Sequence, residues 1–172
     1  MLKAEPKYFN EKLYNPFLHI WGAICFNGKS ELKYLKSKEH WNSEMMAKTF
    51  EENLKPLQKK LFPDNVFYFV QDNARPHKGG VCKQYLEENY AKNVIEHPTK
   101  SPDLNPIEKI WGILKERVYL IDTIQYQNRK DLKKAISQAW NEISLETIRL
   151  HITDLFNTRI EKVLESGGEL IK

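Results

Sequence analysis

Two acidic residues stand where side chains can do chemistry. Asp72 directly follows the apolar run at residues 66–70 (VFYFV), within Val70-Gln71-Asp72-Asn73. In open α/β sheets functional groups collect just beyond the carboxyl ends of strands, held by a rigid element yet open to solvent. Glu108 closes the block Ser101-Pro102-Asp103-Leu104-Asn105-Pro106-Ile107-Glu108, at the start of a helical pattern. Hard carboxylates from a strand end and a helix start suit Mg²⁺ or Mn²⁺, which prefer oxygen ligands and keep several waters. Two such ions about 3.5–4 Å apart activate a water or hydroxyl and stabilise the leaving oxygen in phosphodiester cleavage. Each acid also has a structural reading. Asp72 can serve a turn or helix entry helped by Pro76, and Asn105, Pro106 and Glu108 fit a capping box that explains all three.

The elements that must hold these acids follow from hydrophobic periodicity. Residues 17–26 (FLHIWGAICF) are rich in aromatic and β-branched side chains, and Asn27-Gly28, a strong hairpin signal, comes next. Residues 31–36 read as the return strand. Asn42 or Ser43 can cap a helix with apolar residues at Met46, Phe50, Leu54, Leu57 and Leu61, and Pro56 inside that run predicts a kink. Residues 66–70 predict a buried strand, residues 76–90 a helix, and residues 93–96 a short strand. Ile107, Ile110, Trp111, Leu114 and Val118 form an amphipathic stripe, and Leu132, Ile136, Ala139, Trp140 and Ile143 form another. Ser144 caps a third, from Leu145 through Ile152 and Phe156 to Val163, which Gly167-Gly168 stops. The sum is β-β-α-β-α-β-α followed by two more helices, an α/β layered domain.

Composition narrows the class. The chain has 172 residues, enough for one domain with a real core, and 41% hydrophobic residues exclude a disordered chain. Its 27 Lys and Arg against 23 Asp and Glu leave a net charge of +4. All of that excess falls in residues 1–60, with 11 lysines and 7 acids. It is either a solvated lysine face or a weak phosphate-facing surface. Cys25 and Cys82 are too few for a disulfide framework or a four-ligand zinc site, so they are expected as small buried apolar residues in a reducing compartment. No signal or transit pattern shows, and the longest apolar stretch falls short of the roughly 20 residues of a membrane span. The expectation is a soluble protein without a membrane partner.

The block Gln71-Asp72-Asn73-Ala74-Arg75-Pro76-His77, followed by residues 101–108 and Trp111, resembles the DDE transposases of the mariner superfamily (Tc/mariner group). The order is the family's, and the 35 residues between Asp72 and Glu108 are near its usual interval. The resemblance extends upstream to Trp21-Gly22 and to residues 53–56, and downstream to Gly167-Gly168. It implies a ribonuclease-H-like fold, a mixed sheet flanked by helices with further helices at the C-terminus. It also implies a triad of two aspartates and a glutamate binding two divalent cations, Mg²⁺ or Mn²⁺. The reaction implied is hydrolysis at transposon ends, then attack of the freed 3′-hydroxyl on target DNA. By motif match Asp72 is the second acid and Glu108 the third. Arg75, His77 and Lys100 become DNA-contact candidates, and Asp103 takes a turn role. DNA, other transposase subunits and a nuclear location are implied as well.

One part of the pattern has no counterpart. The family's first aspartate ends the first, central strand, upstream of the Trp-Gly strand, but no aspartate precedes Asp64. Glu5 and Glu11 follow no strand-like run. The family's helix-turn-helix region is also missing. The expectation is one N-terminally truncated catalytic domain over residues 1–172, whose first triad acid is none of its own. Such a chain would bind cations weakly, transfer no strands alone, and expose a sheet edge. The alternative is a non-catalytic remnant that binds DNA or transposase.

Overall fold

The hairpin signalled by Asn27-Gly28 forms the first layer, with its turn one residue earlier than that dipeptide. In the structure, a computed structural model that describes residues 18–36, 39–72, 74–95, 97–98, 101–119, 126 and 128–167, β2 (Ile24–Cys25) and β3 (Gly28–Lys29) pair antiparallel. Cys25 faces Gly28, which leaves Phe26 and Asn27 as the turn. Further along the hairpin β1 (Ile20–Trp21) pairs with β4 (Lys33–Tyr34), so the expected return strand at 31–36 is short. Ser30 interrupts the ladder: its N–H donates to the Ala23 carbonyl at 2.8 Å, and its Oγ accepts the Ala23 N–H at 2.8 Å. Lys29 carries the hairpin across to a helix end. Its ammonium donates to the main-chain carbonyls of Trp140, Asn141 and Ile143, which close α6 (Arg129–Glu142).

Asn42 caps α1 (Ser43–Thr49), its Oδ1 accepting the Met45 N–H at 2.8 Å. The kink expected from Pro56 takes the form of a wide π turn, Phe50–Leu54, leading into α2 (Lys55–Leu61). Proline has no N–H to donate and crowds the carbonyl four residues back, so the chain widens there. β5 (Phe69–Val70), α3 (Arg75–Lys78), α4 (Gly80–Tyr90) and β6 (Val94–Ile95) follow, with β5 and β6 parallel and Phe69 opposite Val94. The Cys82 N–H at the start of α4 donates to Ser43 Oγ at 2.8 Å. Gly79 makes this docking possible, since a Cβ there would lie 2.5 Å from Ser43 Cβ.

A 3₁₀ turn at Pro102–Leu104 opens into α5 (Pro106–Tyr119), and α6 is capped by Asn128. The third predicted stripe forms α7 (Leu145–Asp154), capped by Ser144, a π turn at Leu155–Arg159, and α8 (Ile160–Glu165). Gly167, at φ 70°, ends it. Gly168 lies outside the described residues, as do Glu5, Glu11, Asn73 and Lys100.

Two apolar clusters hold the layers. One joins α5, α6 and α7 through Ile110, Leu114, Ile136, Trp140 and Ile148, with Trp111 stacked on Trp140 at 5.4 Å between ring centroids. The other joins the helices at 43–61 and 80–90 through Met46, Phe50, Leu54, Cys82, Leu86 and Tyr90. Cys82 is fully buried as expected, whereas Cys25 is half-buried. The first-third lysine excess is partly neutralised, since Lys33 and Lys48 pair with Glu52 and Lys55 pairs with Glu51. Among the described residues no helix is long and apolar enough to cross a membrane.

The expectation of a buried strand at 66–70 needs correction. Only Phe69 and Val70 are strand, and Val66, Tyr68 and Val70 are 77%, 74% and 42% exposed. An apolar strand is buried by neighbours on both edges and both faces. Here β5 has one strand partner, β6, among the described residues.

Candidate catalytic carboxylate site

Asp72 sits where β5 gives way to α3. Its Oδ1 accepts the Ala74 N–H at 3.1 Å, closing an Asx turn that redirects the chain into Pro76 and the helix. His77, one helical turn later, folds back so that Nδ1 donates to the same Oδ1 at 2.7 Å. The imidazole also faces the Phe50 ring at 6.0 Å, and its side chain is 12% exposed against 52% for Asp72. The histidine is thus held by the apolar layer and in turn holds the aspartate. Its hydrogen bond, followed by that of the Ala74 amide, keeps the Asp72 carboxyl below the usual range, against an opposing push from burial.

Glu108 is presented by the first turn of α5. The Glu108 N–H donates to the Asn105 carbonyl at 3.0 Å, and Asn105 itself is extended. The preceding turn is anchored from outside. Arg159, in the second π turn, donates through Nη1 to the Asp103 carbonyl at 3.1 Å and through Nε to Asp154 Oδ2 at 2.7 Å. Asp103 therefore has the turn position expected of it. His97 Nε2 donates to the Ser101 carbonyl at 2.9 Å and braces the same turn from the β6 side.

Both carboxylates open onto one cavity of about 680 Å³. Its walls come from β1 and β2, from the helices at 43–61, from residues 67–72, and from α5 and the α7 end. The charge of Asp72 reaches Glu108 there. Burial is the chief cause that raises the Glu108 carboxyl, and the negative charge of Asp72 raises it further while His97 opposes both. Glu108 is nonetheless solvent-accessible, at the mouth of the cavity. Two carboxylates that repel across a shared opening are what a divalent cation relieves. The donor set fits such an ion: two carboxylates, with Gln71 Oε1 in the same wall as a buried neutral oxygen that has no hydrogen-bond partner among the described residues. Mg²⁺ is commonly held by one or two carboxylates with water completing its shell. Among the described residues no group of three His, Cys, Asp or Glu side chains gathers.

The structure thus brings Asp72, His77 and Glu108 together. Arg75 is exposed on α3 beside them, and Lys100 lies outside the described residues. Gln71, His97 and Arg159 were missed by sequence reasoning. Gln71 had a local signal, its place between the apolar run and Asp72, whereas His97 and Arg159 join the site only through tertiary contacts.

Comparison with known proteins gives this geometry its context. A family described as DDE superfamily endonuclease matches residues 13–144. The Tc3 transposase of Caenorhabditis elegans is 29% identical over 170 residues, covering 98% of this chain and 50% of that protein. The Tc1 transposase of the same organism is 25% identical, over 89% of this chain and 53% of that protein. The chain thus spans about half the length of the curated relatives it matches. The catalytic domain of the Mos1 mariner transposase superposes with a TM-score of 0.73 at 21% identity, over 90% of this chain and 75% of that domain. That likeness shows the ribonuclease-H-like fold. Similar structures include the same domain with Raltegravir and Mg or Mn, and Mos1 in a paired-end complex with the left transposon end.

Proposed function

The chain belongs to the DDE superfamily of endonucleases, and from that membership we propose that it is catalytic-domain polypeptide of a Tc1/mariner-type transposase, built for metal-dependent DNA cleavage and strand transfer. The observation that carries this reading is the shared opening of Asp72 and Glu108, each placed by a different element, with the Asp72 charge raising the Glu108 carboxyl. Asp72 is the second acid of the triad and Glu108 the third. Transposon-end and target DNA are the substrates, the nucleus is where the chain meets them, and other transposase subunits are its partners. The metal-bound and DNA-bound neighbours support this reading.

The residues have separable tasks. Asp72 and Glu108 would hold Mg²⁺ or Mn²⁺, with Gln71 Oε1 as a neutral oxygen beside them. Such an ion, when bound, stabilises charge on phosphate oxygens and makes a nucleophile available at neutral pH. His77 keeps Asp72 ionised and fixes its Oδ1, so that Oδ2 is the oxygen offered to the cation. Arg75 can pair with a backbone phosphate through its planar fork. The first acid has no counterpart in the sequence, so the chain alone binds cations weakly and does not transfer strands.

Manganese titration followed by NMR tests this. Paramagnetic broadening should centre on residues 71–77 and 105–108 and vanish in the Asp72→Asn, Glu108→Gln double variant. Broadening that survives in the double variant would overturn the site. Efficient Mn²⁺-dependent nicking of transposon-end DNA by the unaided chain would overturn the incompleteness.

A further inference from the structure

Residues 121–172 carry eight basic and eight acidic side chains, but that balance is an average over a segregated surface. Residues 129–134 (RKDLKK), which open α6, hold four basic residues against one acid. Helix starts favour acids, because the amide N–H groups gathered there carry a partial positive charge. Here four cations meet that charge, and Lys130 and Lys134, like Arg129 and Lys133, repel each other one turn apart. Elsewhere the chain neutralises such cations: Lys33, Lys48, Lys55, Lys83 and Arg159 each pair with a carboxylate. Among the described residues none of the four at the α6 start does so. Asp131, the acid among them, is turned to the helix cap, its Oδ2 accepting the Asn128 Nδ2–H at 2.7 Å. Strand β4 organises the cluster from the other side. Arg129 Nη2 donates to the Leu35 carbonyl at 3.4 Å, and the Lys133 ammonium lies 4.7 Å from the centre of the Tyr34 ring. Lys36, exposed just beyond that strand, adds a fifth cation, and the nearby Glu39 carboxylate accepts its N–H at 2.7 Å.

We propose that this face, formed by the start of α6 and the end of β4, grips the phosphodiester backbone of duplex DNA, a surface separate from the carboxylates that rests on the same reading of DNA as substrate. Charge complementarity carries it. Duplex DNA presents one negative charge per about 1.7 Å of its axis, so cations that repel one another in the free chain gain phosphate partners on binding. The outward residues that follow on α6, Gln138 and Asn141, are exposed and neutral, and no carboxylate interrupts the face before Glu142. A lipid surface fits less well. A helix lying on a membrane sinks its apolar face into the lipid, and the apolar residues of α6, Leu132, Ile136 and Trp140, are buried in the core. The grip is also remote from the reaction. Trp111, three residues past Glu108, stacks on Trp140 at the end of α6, and Lys130 lies about 15 Å back along that helix. The contact is therefore with backbone apart from the reacting phosphate, and it supplies affinity and orientation rather than chemistry.

Fluorescence anisotropy of a labelled duplex of about 20 base pairs tests this on the full chain, in EDTA and from about 50 to 300 mM NaCl. Lys130→Gln and Lys134→Gln together should weaken binding about tenfold or more at low salt. They should also lower the slope of log affinity against log salt by about 1.8, as two lost phosphate contacts require. Both effects should be the same on two unrelated sequences. Because like charges no longer crowd a helix start, that variant should melt at or above the parent. Lys59→Gln and Lys60→Gln together remove equal charge from the exposed end of α2, and should leave the slope unchanged and the affinity within about twofold. Equal losses in the two variants would overturn the proposal, because net charge alone would then explain binding. An unchanged slope in the Lys130 and Lys134 variant would overturn it too, as would a melt below the parent. A parent chain that binds no duplex would overturn the DNA reading beneath it, and anionic vesicles or polyglutamate held through the same two lysines would then identify the partner.

Discussion

Glu108→Gln separates a cation-binding carboxylate from a helix cap by the sign of its effect. In the metal-free chain the Glu108 carboxyl is raised by burial and by the neighbouring Asp72 charge. An acid whose folded pKa exceeds its unfolded value destabilises the fold above that folded pKa, and contributes nothing below the unfolded value near about 4.3. Removing the charge should therefore stabilise the metal-free protein at neutral pH and leave it unchanged near pH 3. Because Glu108 is exposed at the cavity mouth, solvent screening limits the gain to about 0.5 kcal/mol. That is a rise of about 1–2 °C for a domain of this size. With 10 mM Mn²⁺ the order should reverse. A two-carboxylate site with Kd on the order of 1 mM would stabilise the parent by about 1.4 kcal/mol, or roughly 3–6 °C, and the variant by almost nothing. Thermal melts at pH 7 in EDTA and in MnCl₂ read both terms. A capping glutamate predicts the same loss in both buffers, and that outcome would refute the reasoning.

Further tests address the residues that place the acids. His77→Phe keeps an aromatic ring against Phe50 but removes the bond to Asp72, so the Asp72 midpoint in carboxyl NMR should rise toward about 3.9; an unmoved midpoint would mean that His77 does not hold it. The parent's stabilisation from this lowered carboxyl is present above about pH 3.9 and should fade as pH falls through the lower folded value, a loss visible in urea melts and absent from His77→Phe. Lys29→Met retains the stem while removing the ammonium's bonds to three carbonyls at the end of α6, and should cost about 1–3 kcal/mol by urea denaturation. Gly79→Ala should cost a similar amount through overpacking, because the new methyl meets Ser43 at 2.5 Å; in a Ser43→Gly background, which already lacks the Oγ bond to Cys82, the same substitution should cost much less if that contact is the cause.

How much of this was legible in the sequence depended on whether the signal was local. The hairpin, though its turn falls on Phe26-Asn27, one residue before the Asn27-Gly28 signal, the Asn42 and Ser144 caps and the Pro56 disruption were legible because each is decided within one turn of chain. Asp72 and Glu108 were legible for the same reason: a strand end and a helix start are local features. The second π turn had no proline to announce it. Its Asp154–Arg159 pair, five residues apart, bridges the widened turn and is recognisable only once that turn is seen.

The misreading of residues 66–70 follows from the same division. Apolar composition records the environment a strand is built to occupy, and it is identical whether or not the neighbouring strand is present. Tyr68 and Val70 therefore read as core in the sequence and stand exposed in the fold. The acids beyond that strand need no such neighbour to find their places, because the Asx turn, His77, Arg159 and the α5 start position them. The geometry of two catalytic carboxylates and the completeness of the sheet beneath them are thus independent properties. A motif can testify to the first while saying nothing of the second.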